Sequence, residues 1–208
     1  MHLSNTWQNK GFTLLEVLVA LALLVILSGA LYGTYFSLIR GRETAVTKMD
    51  ERRELCDTLD RLHRELSAAY YSKNNSRLRF VVEDRDFFGK PASTLDFTAI
   101  ASPRNASMPV SDQVQLVYKT VEKDNNLLLT RQEKNLYSTV DPAQLPQMKE
   151  LEGFLVECST DGAKWVRTWD AAKLNGNRLP KYVRITLMLK AGEKTVNFST
   201  IAVMRMGS

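Results

Sequence analysis

The residues with the clearest chemical potential lie near the start of the chain, in Gly11-Phe12-Thr13-Leu14-Leu15-Glu16. Glu16 puts a carboxylate at the mouth of an apolar run. An ionised side chain at the centre of a membrane helix costs about 2.5 to 3.5 kcal/mol on insertion scales, so one near membrane depth calls for a partner. No basic residue follows Glu16 before Arg40. A cut after Gly11 would discard Lys10 and turn the nitrogen of Phe12 into a terminal ammonium. Glu16 would then face an amine, its own or that of a neighbouring subunit. On charge alone the stretch also fits a simple anchor helix whose Glu16 rests in the headgroup zone.

Other chemistry is hard to assemble. His2 lies in the first eleven residues and His63 on a helical stretch, so neither a histidine metal cluster nor a Ser/His/Asp set comes together. There is no glycine-rich phosphate loop, and no cofactor or metal is expected. Glu83-Asp84-Arg85-Asp86 lacks the length and spacing of a calcium loop and reads as a charged turn. Cys56 and Cys158 are the only cysteines. In an exported domain they could pair and fasten helix to sheet, or Cys56, which borders an apolar face, could be a free and partly buried thiol. The formal charge of +5 is small and dispersed, which describes a solvated mixed-charge surface rather than a nucleic-acid site.

The element that must carry Glu16 is a helix. Val17 to Ile39 is a run of 23 residues without a charge, and at about 1.5 Å per residue it spans roughly 35 Å, enough to cross a hydrocarbon core of about 30 Å. Gly29, Gly33 and Gly41 would let this part bend or pack closely. Residues 1–11 read as a short polar leader with no apolar core. A secretory signal with Leu14–Leu27 as its apolar region and a cut after Ser28-Gly29-Ala30 is the rival reading, but Glu16 would interrupt the start of that region. Lys10 on one side against Arg40 and Arg42 on the other does not select a cytoplasmic N-terminus. From residue 40 to 71 the helix is expected to continue in amphipathic form, with Leu55, Leu59, Leu62, Leu66 and Ala69 on one face and seven basic against seven acidic residues exposed.

From residue 74 onward the apolar period changes to two. Leu78-Phe80-Val82, Leu95-Phe97-Ala99 and Val114-Leu116-Tyr118 predict half-buried antiparallel strands. Asp124-Asn125-Asn126 reads as a hairpin turn into Leu127–Gln132, with Ser102-Pro103-Arg104-Asn105 and Asp141-Pro142 as loops. Phe154–Cys158, a turn at Asp161-Gly162, and a hairpin of Tyr182–Lys190 with Thr195–Met204 about Ala191-Gly192 complete the pattern. The fold class is α+β, one long N-terminal helix packed on antiparallel sheet. A length of 208 residues leaves room for one membrane helix and one globular domain. Trp165 and Trp169 read as core or sheet-covering residues.

The motif Gly11-Phe12-Thr13-Leu14-Leu15-Glu16 resembles the class III signal of type IV pilins and type II secretion pseudopilins. Leu95-Asp96-Phe97-Thr98, Val117-Tyr118, Leu129-Thr130-Arg131, Leu151-Glu152-Gly153, Asp161-Gly162, Trp165, Trp169, Leu179-Pro180 and Val183 are similar in order and spacing to the J-type minor pseudopilins, although Ala99–Asp112 departs from that pattern. The resemblance implies a type IV pilin-like fold. It also implies a leader at 1–11 cut after Gly11 by a prepilin peptidase, N-methylation of Phe12, and an assembly contact at Glu16. The implied domains are a transmembrane and assembly half-helix at 12–39 and a periplasmic domain at 40–208. The implied setting is the bacterial inner membrane, with the N-terminus cytoplasmic and with the major pseudopilin and the I- and K-type minor pseudopilins as partners. On this reading the chain is no enzyme but part of the tip of a short fibre that helps export folded proteins. The alternatives are a type IV pilus minor pilin serving adhesion or DNA uptake and a membrane-tethered periplasmic enzyme.

Overall fold

The computed structural model describes residues 13–100, 112–123, 126–140 and 142–207. Gly11, Phe12, the loop at residues 102–105, Asp124-Asn125 and Asp141 lie outside them. The chain falls into two units, one ending at Arg52 and the other beginning at Arg53. Helix α1, Leu14–Ser67, supplies the described secondary structure of the first unit and opens the second. Its 54 residues contain no proline, so nothing breaks the hydrogen-bond ladder.

Within the second unit the expected leucine face packs inward. Leu55, Leu62 and Leu66 are buried, Leu59 is partly so, and Thr58 is buried beside them. Burying a leucine of this kind stabilises by about 1.5 to 3 kcal/mol. The helix stops at Ser67, short of the expected Tyr71. The N–H of Ala68 still reaches back to the carbonyls of Arg64 and Glu65, but Tyr70–Tyr71 then becomes strand β1. Tertiary pairing decides the point: β1 lies parallel to β12, Met206–Gly207, at the other end of the chain, and Ala69 bridges Ala99.

The remaining strands are β2, Phe80–Glu83; β3, Asp86–Phe87; β4, Lys90–Pro91; β5, Thr94–Ile100; β6, Gln113–Lys123; and β7, Asn126–Asn135. They continue with β8, Leu145–Ser159; β9, Trp169–Asp170; β10, Tyr182–Ala191; and β11, Lys194–Val203. Eight of them form one antiparallel sheet in the order β11-β10-β8-β7-β6-β5-β2-β9, and β3 pairs with β4 apart from it. The period-two pattern located β2, β5, β6, β7, β8, β10 and β11 but not the two-residue strands β3, β4 and β9, which are too short to show a period; pairing lengthened several. β8 starts at Leu145, nine residues before the expected Phe154, because its first half has β7 to pair with.

β8 is the corner of the sheet. Residues 145–151 pair with β7, and residues 151–159 pair with β10, so Leu151 has a partner on both sides. At the changeover Glu150 takes a left-handed φ of 58° and the pairing with β7 slips twice, a bulged arrangement that bends a strand. The sheet therefore folds back on itself. Ser93 N–H donates to the Phe154 carbonyl at 2.9 Å, although β6 and β7 lie between β5 and β8 in the sheet order. Phe80, Phe97, Tyr118, Phe154, Leu129, Ile185 and Leu187 fill the space inside with the helix leucines.

The bend has a steric requirement at Gly153. A Cβ there would meet Met188 Sδ at 3.0 Å and the Pro91 carbonyl oxygen at 3.3 Å, the second a backbone atom that cannot swing aside. Gly153→Ala is expected to destabilise the domain by about 1 to 3 kcal/mol through overpacking. A lowered thermal midpoint is the readout, and an unchanged one would show that β4 does not press on β8 as described.

Candidate functional site

The first unit offers a helix that has little of its own to pack against. Leu14, Leu15, Val25, Ile26, Leu31, Phe36 and Leu38 are all exposed, and the stretch is long and apolar enough to cross a membrane. Two of its threonines bond within the helix: Thr34 Oγ1 donates to the Leu31 carbonyl at 2.8 Å and Thr47 Oγ1 to that of Glu43 at 3.0 Å. Apart from the helix's own neighbouring backbone, nothing lies within 4 Å of where a Cβ would stand at Gly29, Gly33 or Gly41. Small residues at this spacing let another helix come close in lipid.

Glu16 has a definite place at the start of this helix. Thr13 precedes the first helical residue, and its Oγ1 accepts the N–H of Glu16 at 3.3 Å. In return Glu16 Oε2 accepts the N–H of Thr13 at 3.1 Å and its hydroxyl at 3.2 Å. This is a capping box, in which the first and fourth residues of a Thr-x-x-Glu run satisfy each other's otherwise unpaired N–H groups. Thr13-Leu14-Leu15-Glu16 carries that signature in its spacing, so the role was open to sequence reasoning and was missed by it. The carboxylate is consequently folded back over the N-terminal turn, one residue from Phe12, where the helix dipole also favours negative charge.

In the second unit a largely buried polar cluster ties helix to sheet. Tyr118 on β6 donates its hydroxyl to Glu65 Oε2 at 2.5 Å. Arg131 on β7 reaches Glu65 Oε1 at 2.7 Å and Glu133 Oε2 at 2.6 Å through Nη2, with Nε adding a bond to Glu65 at 3.1 Å. The side chains of Arg131, Glu133 and Glu65 are only 12%, 12% and 20% exposed. Burial pushes the Tyr118 hydroxyl far up, and the negative charge of Glu65 pushes it further. Burial opposes the charge of Arg131, but hydrogen bonding to Glu65 and the field of its carboxylate more than compensate and raise its pKa.

The bridge that the two cysteines could have made does not form. Both are free; Cys56 is exposed on the polar side of α1, and Cys158 is fully buried in β8. Cys56 is not partly buried either: the turn from Leu55 carries it off the apolar face. Burial, then the neighbouring Glu157, raises the Cys158 thiol and keeps it protonated. Trp169 is buried and donates to the Arg178 carbonyl at 3.1 Å, while Trp165 lies over the Arg184 guanidinium at 3.8 Å, so both cover the sheet as expected. Asp161, exposed in the expected turn, accepts N–H groups from Lys164 and Ala163 and the Ser159 hydroxyl, which lower its pKa. His63 is half-buried on the helix. Among the described residues no His, Cys, Asp and Glu cluster could hold a metal.

Folded Tyr118 keeps its proton while the unfolded chain releases it near pH 10, so the stability it contributes is complete below about pH 10 and is lost as pH rises above it. Tyr118→Phe should flatten the alkaline fall in melting temperature, whereas Glu65→Ala, which leaves Arg131 only Glu133 as a partner and Tyr118 without its acceptor, should cost about 1 to 3 kcal/mol at pH 7. A thiol reagent should label Cys56 alone in the native protein and reach Cys158 only in denaturant. Labelling of both at equal rates would contradict the burial of Cys158.

Comparison with known proteins bears on this arrangement. Residues 8–32 match the prokaryotic N-terminal methylation motif. No individual curated protein matches the chain in sequence. In structure it is similar to a chain of the GspK-GspI-GspJ complex from the enterotoxigenic Escherichia coli Type 2 Secretion System. The TM-score is 0.52 at 14% identity, over 74% of this chain and 97% of that one. At that identity the likeness speaks for the fold, a long helix on antiparallel sheet. Residues 33–201, most of the chain, match the family described as type II secretion system protein J. This selects secretion over the pilus alternative: the chain belongs to the protein J family of type II secretion minor pseudopilins.

Proposed function

We propose that this minor pseudopilin is made as a precursor with a leader at residues 1–11, held in the bacterial inner membrane with its N-terminus cytoplasmic. A prepilin peptidase cuts after Gly11 and Phe12 is N-methylated. The assembly half-helix, residues 12–39, then leaves lipid for the fibre, and the domain from residue 40 onward lies in the periplasm. Its neighbours are the I- and K-type minor pseudopilins, in a tip complex that starts the fibre, and the major pseudopilin below them. The tip helps move folded proteins across the outer membrane, and the protein itself is not an enzyme.

One observation carries most weight: an apolar helix exposed along nearly its whole length, with a single carboxylate held at its first turn. Such a helix gains by exchanging lipid for other helices, and the open glycine stripe favours close contact. The capping box gives Glu16 a partner before assembly. Docking therefore exchanges the bonds from Thr13 for the Phe12 ammonium of a neighbour, and the carboxylate never has to be buried unpaired.

Mass spectrometry of membrane-extracted protein should find an N-terminus at methylated Phe12; one at Met1 or Leu31 would refute the processing step. Two Glu16 variants separate its two roles. Glu16→Ala loses both cap and charge, whereas Glu16→Gln keeps a capping-box side chain and loses only the charge. If the charge docks the subunit, both variants should be cleaved normally and both should fail to enter the fibre. Normal incorporation of Glu16→Gln would reduce Glu16 to a helix cap.

A further inference from the structure

The eight-stranded sheet ends in two very different ways. At one side β9 is only two residues long, and the turn after it is closed tightly. Asp170 Oδ1 accepts the N–H groups of Ala172 and Lys173 at 3.0 Å each, and the Asn177 N–H donates to the Ala171 carbonyl at 2.8 Å. At the other side β11 runs for ten residues in unbroken register with β10, from Lys194 opposite Ala191 to Val203 opposite Tyr182. Among the described residues no strand lies beyond it. Every second residue of such a strand spends its N–H and C=O on the neighbour, and the alternate set points outward.

Folded proteins usually blunt a free edge by making it short, charged, bulged or proline-bearing. β11 is ten residues long, unbulged against β10 and free of proline, and its one charge is Lys194 at the first position. Thr195 to Met204 contains no charged residue and no proline, and Val196, Ile201 and Val203 are 38%, 45% and 45% exposed. Charge gathers instead at its two ends, with Lys190 and Lys194 against Glu193 near the turn and Arg205 beyond Val203, so each end is net positive.

We propose that β11 is a docking edge to which an extended segment of a neighbouring minor pseudopilin adds as a further strand. The chemistry of the edge describes that segment. It must be extended, because only an extended backbone presents donors and acceptors in step with those of β11. It is uncharged across its middle, to lie along Thr195–Met204, and carries a carboxylate at each end to meet the flanking cations. A lipid surface has no donors in register, and a helix has spent its own. The inference rests on the reading of the chain as a fibre subunit, which supplies the neighbouring chain.

Hydrogen exchange followed by mass spectrometry tests it on the full-length chain in detergent, alone and mixed with its I- and K-type counterparts. Addition of a strand should slow the outward amides of residues 194–203 by at least tenfold in the mixture. The double variant Val196→Lys, Ile201→Lys changes two exposed side chains, so it should melt like the parent, yet it should weaken the complex at least tenfold and abolish the slowing. A complex that forms with β11 exchanging as fast as in the free chain would overturn the proposal, as would a double variant that binds like the parent. Slowing that depends on the concentration of this chain alone would make a second copy the occupant and equally overturn it. No complex with the parent chain would instead sink the partner reading beneath it.

Discussion

A guanidinium held at 12% exposure between two carboxylates is an expensive thing to build, and the domain is arranged around having built one. Removing Arg131, Glu65 and Glu133 from water costs several kcal/mol per ion, which only close geometry can offset. What the cluster supplies that the leucines cannot is direction. The face made by Leu55, Leu59, Leu62 and Leu66 repeats at nearly every turn, and apolar contact is indifferent to sliding by one turn. Glu65 meets Tyr118 and Arg131 together at a single setting. The helix therefore owes its adhesion to the sheet to leucine burial and its register to polar contacts, those of Glu65 above all and that of Arg61 with Gln147 beside them.

That register matters because the sheet is strongly bent. β8 changes partners from β7 to β10 at Leu151, next to the left-handed Glu150, and Gly153 allows Pro91 to come down onto the bend. Folding back lets Ser93 and Phe154 share a main-chain hydrogen bond and encloses the aromatic residues of both halves. The same path carries the chain from β8 out to β9 and back to β10, which finishes one edge with a turn and leaves the other, β11, a full-length strand.

Much of this was legible from periodicity. The uncharged run, the leucine face and the alternating segments state which backbone geometry buries their apolar side chains, since a helix and a strand have different periods. Thr13 and Glu16 also spell out their capping box by spacing alone. Two expectations failed for a shared reason. Tyr70 and Tyr71 suit a helix face or a strand, and only Met206-Gly207, at the far end of the chain, chooses between them. Cys56 and Cys158 looked like a possible pair, yet one side chain points to solvent and the other into the core.

Local composition thus determined the anchor helix, its cap, the existence of an antiparallel sheet and the residues that resemble a pseudopilin signal, because each depends on neighbours within a few positions. The tertiary structure alone decided which strands meet, that Glu65 lies against Arg131 across 66 positions of sequence, that the sheet bends beside Glu150 and Leu151, and that β11 is left uncovered. Those outcomes turn on desolvating charges and closing space between distant segments, and neither quantity exists until the chain has folded.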